Sequence, residues 1–142
     1  MTTSDARRSI SLDRDGAGRF AATNERGGRL TTGTGEDESF TPVELLLTAI
    51  AACSAVDVDV LTTRRSEPSV FSVECGGDKV RDADGNRMGA IDVTFTVTFP
   101  EGPEGDAARA VLPGAVQRSH DRLCTVSRTV ELATPVTTTL TQ

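Results

Sequence analysis

Along the chain the apolar positions change their period several times, and each change predicts an element. Residues 7–13 and 18–23 are short β-prone runs parted by the turn DRDGAG, and a third run at 29–32 follows the turn ERGG. Turn residues at such short intervals predict an antiparallel meander. The polar loop GTGEDES then leads into a stretch of a different kind. From Leu45 to Val60, Leu, Ala, Ile and Val cover nearly every face of a 3.6-residue period, the mark of a helix surrounded by protein.

The start of this helix is written in detail. Thr41 is a good N-cap, Pro42 suits the first helical position, and Glu44 stands where its carboxylate reaches back to the N–H of the cap. Phe40 and Leu45 occupy the two positions of a hydrophobic staple. TTRRSEP ends the helix, with Pro68 as a stop and Arg64 and Arg65 near the negative end of the dipole. A chain this short rarely surrounds a helix alone, and a helix left half bare exposes more apolar surface than a soluble monomer tolerates. Burial against a second copy, as a homodimer, is therefore expected.

The period then shifts to two. Phe71, Val73 and Cys75 alternate on one face, and after the turn DADGN so do Ile91, Val93, Phe95, Val97 and Phe99, which predicts a hairpin. EGPEGD opens a second helix expected from Asp106 to about Leu123, with Pro113 as a kink or a break. A last β-prone run, 136–141, is expected to close the chain. The order β-β-β-α-β-β-α-β describes one α+β domain over residues 1–142 with antiparallel strands.

Charge narrows the function classes. The net charge is −6 and no concentrated basic face is in evidence, which argues against nucleic acid. MTTSDARRSISLDRDG has no signal-peptide core, and the apolar stretch 49–60 is interrupted by Ser54, Asp57 and Asp59, so a cytoplasmic protein away from the membrane is expected. Reducing conditions there disfavour a static disulfide, leaving Cys53, Cys75 and Cys124 buried, metal-bound or redox-active. Their spacing is not that of a CxxC zinc site, and with one histidine, His120, a zinc ion would need all three thiols and that imidazole. Cys75 falls in the inward row of its strand and reads as a small core residue. Cys53 is either inert packing or, at the lip of a pocket with a partner thiol, a redox group.

Two stretches, PVELLLTAIAAC ending at Cys53 and SHDRL followed by CTVS from Cys124, together resemble the OsmC/Ohr family of osmotically induced protein C and the organic hydroperoxide resistance proteins. In that family a P-x-E-L-L-x-A-x-x-A-x-C helix and a later C-x-V-S both supply redox cysteines. The resemblance implies an OsmC-like α+β fold in which antiparallel sheets wrap two central helices of an intertwined homodimer, with active sites at the dimer interface. Cys53 matches the thiol that attacks a hydroperoxide and becomes a sulfenic acid. Cys124 matches the resolving thiol, which condenses with that acid to a disulfide later reduced by an external dithiol. No metal or bound cofactor is implied.

A thiolate attacks peroxide and a thiol does not, so such a site needs a cation or dipole near Cys53. The family's peroxidases use an arginine held by a glutamate ten residues before the first cysteine. Here that position is Val43, and Glu44 is one residue later, about 180° around an ideal helix from Cys53. Capping explains Glu44 without chemistry. Arg29 is the best-placed candidate arginine and Arg19 the second. Asp57, one turn beyond Cys53, would raise the thiol pKa if ionised, or serve as the partner of an arginine in a buried interface. His120, four residues before Cys124, would pair with it on an unbroken helix, or else simply satisfy a helix C-terminus. TVSRTVEL can begin a short helix whose first N–H groups favour an anion at Cys124.

The expected function is thus a thiol-dependent peroxidase that reduces organic hydroperoxides through Cys53 and Cys124 in oxidative stress defence. The alternative is a non-catalytic relative that binds a small apolar or thiol-bearing ligand in the interface pocket. A redox sensor read by a partner protein is a third possibility, with no segment that marks the partner.

Overall fold

The computed structural model describes residues 6–142, so part of the expectation about an N-terminal leader falls on residues 1–5, outside the described residues. Contacts divide the chain into two compact units, residues 1–46 and 47–142. The fold class is α+β with antiparallel sheets, as the sequence predicts.

The first unit holds a three-stranded meander, β1 (Ile10–Gly16), β2 (Arg19–Asn24) and β3 (Arg29–Thr32), in sheet order β1-β2-β3. β1 lies three residues further along than its sequence run. The reason is the tight turn at Ala17 and Gly18: Gly18 takes φ 68°, open to glycine at little cost, and the ladder runs on until Gly16 faces Arg19. At the second turn Asn24 Oδ1 accepts from the N–H groups of Arg26 and Gly28.

Helix α1 (Pro42–Thr63) begins where the sequence places it. The reciprocal cap is formed: Glu44 N–H donates to Thr41 Oγ1 at 3.3 Å, while Thr41 N–H and Thr41 Oγ1 reach Glu44 Oε1 at 3.4 and 2.8 Å. The expected all-round burial is not met within one chain. Only Ile50, Ser54, Val58 and Thr62 are buried, a single ridge at four-residue spacing, and Val56 and Val60 are 61% and 50% exposed. By length and composition α1 could cross a membrane. Its inward ridge nevertheless carries Ser54 and Thr62, and Asp57 and Asp59 follow in the same helix, which suits packing against protein.

In the second unit β4 (Val70–Asp82) and β5 (Gly85–Thr98) form the predicted hairpin. Phe71 faces Val97, Val73 faces Phe95 and Cys75 faces Val93, so the inward rows coincide, and Phe71 and Phe95 meet edge to face at 6.2 Å. Beyond Gly77 the register shifts in a bulge, where a Cβ on Gly77 would stand 2.5 Å from the Ala90 carbonyl oxygen.

Helix α2 (Pro103–Arg118) starts three residues before the predicted Asp106, with Pro103 in its first turn. Its N-terminus is pressed against the end of β5: Gly105 is buried with the Pro100 carbonyl where a side chain would be, and Arg109 donates to the Phe99 carbonyl at 2.9 Å. Pro113 does not break the helix. The irregularity comes later, as a π-turn at Ser119–Leu123, followed by α3 (Thr125–Glu131). The run 136–141 forms no strand. It pairs with no strand of either sheet, and Val136 and Leu140 are 90% and 80% exposed.

Candidate active site

The π-turn brings the second cysteine to the first. Its defining bond runs from the Cys124 N–H to the Ser119 carbonyl, 2.8 Å and five residues apart, after which the chain leaves helical geometry at Cys124 and re-enters it at Thr125. Cys124 is therefore the N-cap of α3 and accepts the Ser127 N–H on its sulfur at 3.4 Å. Its thiol donates to Ser127 Oγ at 3.2 Å, and the residue is fully buried. The expected helix after Cys124 is present.

Cys53 is half-buried on α1 and interacts with this cap. Burial pushes its thiol above the ordinary value. The Val126 N–H of α3 acts in the opposite sense, while hydrogen bonding and charge interaction with Cys124, and then the Asp57 carboxylate, push it further up. The two thiols are thus neighbours, in an environment that favours the protonated form of Cys53. Cys75 stands apart, half-buried beside a smaller cavity with Leu47 and Val73; burial, then Asp92, raises its thiol.

Asp57 has a partner other than the expected arginine. Ser119 Oγ donates to Asp57 Oδ2 at 2.8 Å and lies 3.1 Å from Ser54 Oγ. A hydroxyl has one proton, so Ser54 must donate to Ser119, giving a directed chain Ser54 to Ser119 to Asp57. Ser54 and Ser119 are both buried. From the sequence Ser54 reads only as an interruption of the apolar stretch and Ser119 only as the first residue of SHDRL, although a serine inside an otherwise apolar helix is a signal that a polar group must meet it.

His120 does not pair with Cys124. The π-turn breaks the four-residue relation, and the imidazole lies instead between Asp121 (3.0 Å from Nδ1) and Glu131 (3.2 Å from Nε2). The Asp121 hydrogen bond, then the charge of Glu131, raise its pKa. Arg29 and Arg19 belong to the first unit. Arg29 is exposed on β3 opposite Thr23, and Arg19 lies 3.8 Å from Asp37. Val43 is half-buried, and Glu44 is engaged in the cap. No cluster of three or more metal-ligating side chains occurs among the described residues.

A cavity of about 650 Å³ opens near the site, though neither Cys53 nor Cys124 is among the residues that line it. Ile91, Phe95 and Val130 give it an apolar wall, and Ser54 and Ser127, the chain neighbour of Cys53 and the hydrogen-bond partner of Cys124, line it as well. His120 and Glu131 also contribute to its lining.

The family model for OsmC-like proteins matches residues 35–139, a span that contains both cysteines and the helices that carry them. The chain belongs to the OsmC-like family. A Mycobacterium tuberculosis protein described as uncharacterized is 30% identical over 127 residues, covering 88% of this chain and 90% of its own. Among solved structures, the OsmC-like protein of Mycoplasma pneumoniae superimposes with a TM-score of 0.72 at 14% identity, over 90% of this chain and 89% of that one. The organic hydroperoxide resistance protein of Bacillus subtilis does so with a TM-score of 0.53 at 15% identity, over 85% and 90%. These structures share the fold of this OsmC-like chain.

Proposed function

We propose that this OsmC-like protein is a thiol-dependent peroxidase acting on organic hydroperoxides through Cys53 and Cys124. The observation that carries the reading is the interaction of the two thiols at the cap of α3, with an apolar-walled cavity lined by their neighbours Ser54 and Ser127. Family membership, and neighbours of the same fold named for hydroperoxide resistance, support it.

In this scheme the Cys53 thiolate takes the terminal oxygen of the hydroperoxide, the O–O bond breaks, and the alkoxide takes up a proton and leaves as the alcohol. The sulfur of Cys124 then attacks the sulfenic sulfur of Cys53. The S–S bond forms, the S–O bond breaks, and the hydroxyl leaves as water with the thiol's proton. An external dithiol reduces the disulfide by exchange. The cation that would support the thiolate is named from the sequence alone, Arg29 first and Arg19 second.

The scheme is set in a cytoplasmic homodimer. The exposed Val56 and Val60 faces of α1 support the dimer, since an apolar helix covered along one ridge needs a second surface. An obligate interface of this kind buries on the order of 2,000 Å² or more.

Intact mass after a stoichiometric dose of an alkyl hydroperoxide tests the chemistry. Loss of two hydrogens, absent in Cys53→Ser and Cys124→Ser, is expected; an unchanged mass and thiol count overturns it. A second reading, ligand binding without turnover, is favoured by the raised Cys53 thiol and by Val43 in place of the glutamate. Under the peroxidase reading Val43→Glu increases turnover, and under the binding reading it does not.

A further inference from the structure

One buried residue touches both halves of the thiol pair's support. Ser119 holds Cys124 through its carbonyl, which accepts the Cys124 N–H at 2.8 Å. Through its hydroxyl it holds α1, donating to Asp57 Oδ2 one turn beyond Cys53 and accepting from Ser54, the residue next to Cys53. It is 0% exposed; its contact with Ser54 is buried and its contact with Asp57 is part-buried. The π-turn and α1 are therefore tied at one point, and each cysteine lies on one of the two tied elements.

We infer that Ser119 is a positioning residue for disulfide formation, the clamp that fixes the approach of Cys124 to Cys53. The inference rests on the redox pairing proposed above. A disulfide tolerates a narrow range of Cα separations, about 4.4–6.8 Å, and closing it from two held thiols gains most when they are already within reach. Removing the hydroxyl frees α1 from the π-turn without touching either sulfur. Peroxide attack at Cys53 needs no movement of Cys124, whereas resolution needs both elements in register. The clamp acts on the second step.

The test is the equilibrium of the Cys53–Cys124 disulfide in glutathione redox buffers, read by thiol alkylation and mass, with no peroxide present. Ser119→Ala is expected to weaken the disulfide at least tenfold, a rise of about 30 mV in its potential. With alkyl hydroperoxide, the same variant accumulates Cys53 sulfenic acid, trapped by dimedone, which the wild type resolves. Asp57→Asn and Asp57→Ala keep the clamp falsifiable should Ser119→Ala not fold. Both remove the charge beside Cys53, but only asparagine keeps an acceptor for Ser119, so the alanine variant alone is expected to lose the further tenfold. Folded Ser119→Ala with an unchanged potential, or equal potentials for the two Asp57 variants, overturns the clamp. So does a wild-type protein that forms no disulfide in oxidising buffer. A wild-type disulfide that forms in glutathione but not with peroxide sinks the peroxidase reading and leaves the clamp standing.

Discussion

Asp57 lies one helical turn beyond Cys53, and its carboxylate raises the energy of a thiolate there. Burial acts in the same direction and more strongly, with the Val126 N–H as the opposing influence. Alkylation of Cys53 by iodoacetamide, followed by peptide mass across pH, is therefore expected to be half-maximal above the ordinary thiol value of about 8.5. Asp57→Asn shifts the profile to lower pH. A wild-type profile centred below neutrality contradicts this account of the site.

The cap of α1 makes a stability prediction independent of any chemistry. Thr41→Ala removes the hydroxyl that bonds both the Glu44 N–H and the Glu44 carboxylate, and is expected to cost about 1 kcal/mol in denaturant unfolding. Glu44→Gln keeps a side chain that can return the bond to the Thr41 N–H and is expected to cost less. Equal and negligible losses would show the cap to be idle.

His120 titrates between two carboxylates, and the sign of its effect follows. Its folded pKa is raised, so the stability it contributes is complete below the unfolded value of about 6.5 and is lost as pH rises through the folded value. All three side chains are more than half exposed, so the effect is small. Hydrogen exchange of the α3 amides, corrected for intrinsic pH dependence, is expected to quicken across that window, and His120→Asn to remove the change. Exchange equally fast on both sides of it refutes the linkage.

The proposed dimer is testable at the exposed face of α1. Ile50 is 4% exposed within its own chain, so Ile50→Asp reports on the core rather than on assembly. Val56 and Val60 are the informative positions. Sedimentation is expected to give a wild-type dimer that Val60→Asp dissociates, and a folded wild-type monomer of 14.9 kDa at micromolar concentration refutes it.

Where local chemistry decided the structure, the sequence was legible. The cap at Thr41, the alternation of Phe71, Val73 and Cys75 and of Val93, Phe95 and Val97 along their strands, and the short helix after Cys124 all follow from patterns within a few residues. What escaped it depended on contacts across the fold. The π-turn has no composition of its own, and it removed His120 from Cys124. Asp57 found a serine 62 residues away, which no spacing rule announces. The run at 136–141 has strand-like residues, but a strand exists only where an edge receives it.

The π-turn also makes the thiol pair a matter of counting. A π-turn differs from an α-turn by one residue, so deleting any one of the four positions between Ser119 and Cys124 lets the segment relax to α geometry. One residue is about 100° of helical rotation. Such a deletion would leave every side chain that touches Cys53 in the sequence and yet swing Cys124 out of its reach. The length of SHDRL, more than the identity of its residues, is thus what a drifting sequence must preserve to keep the two sulfurs facing each other.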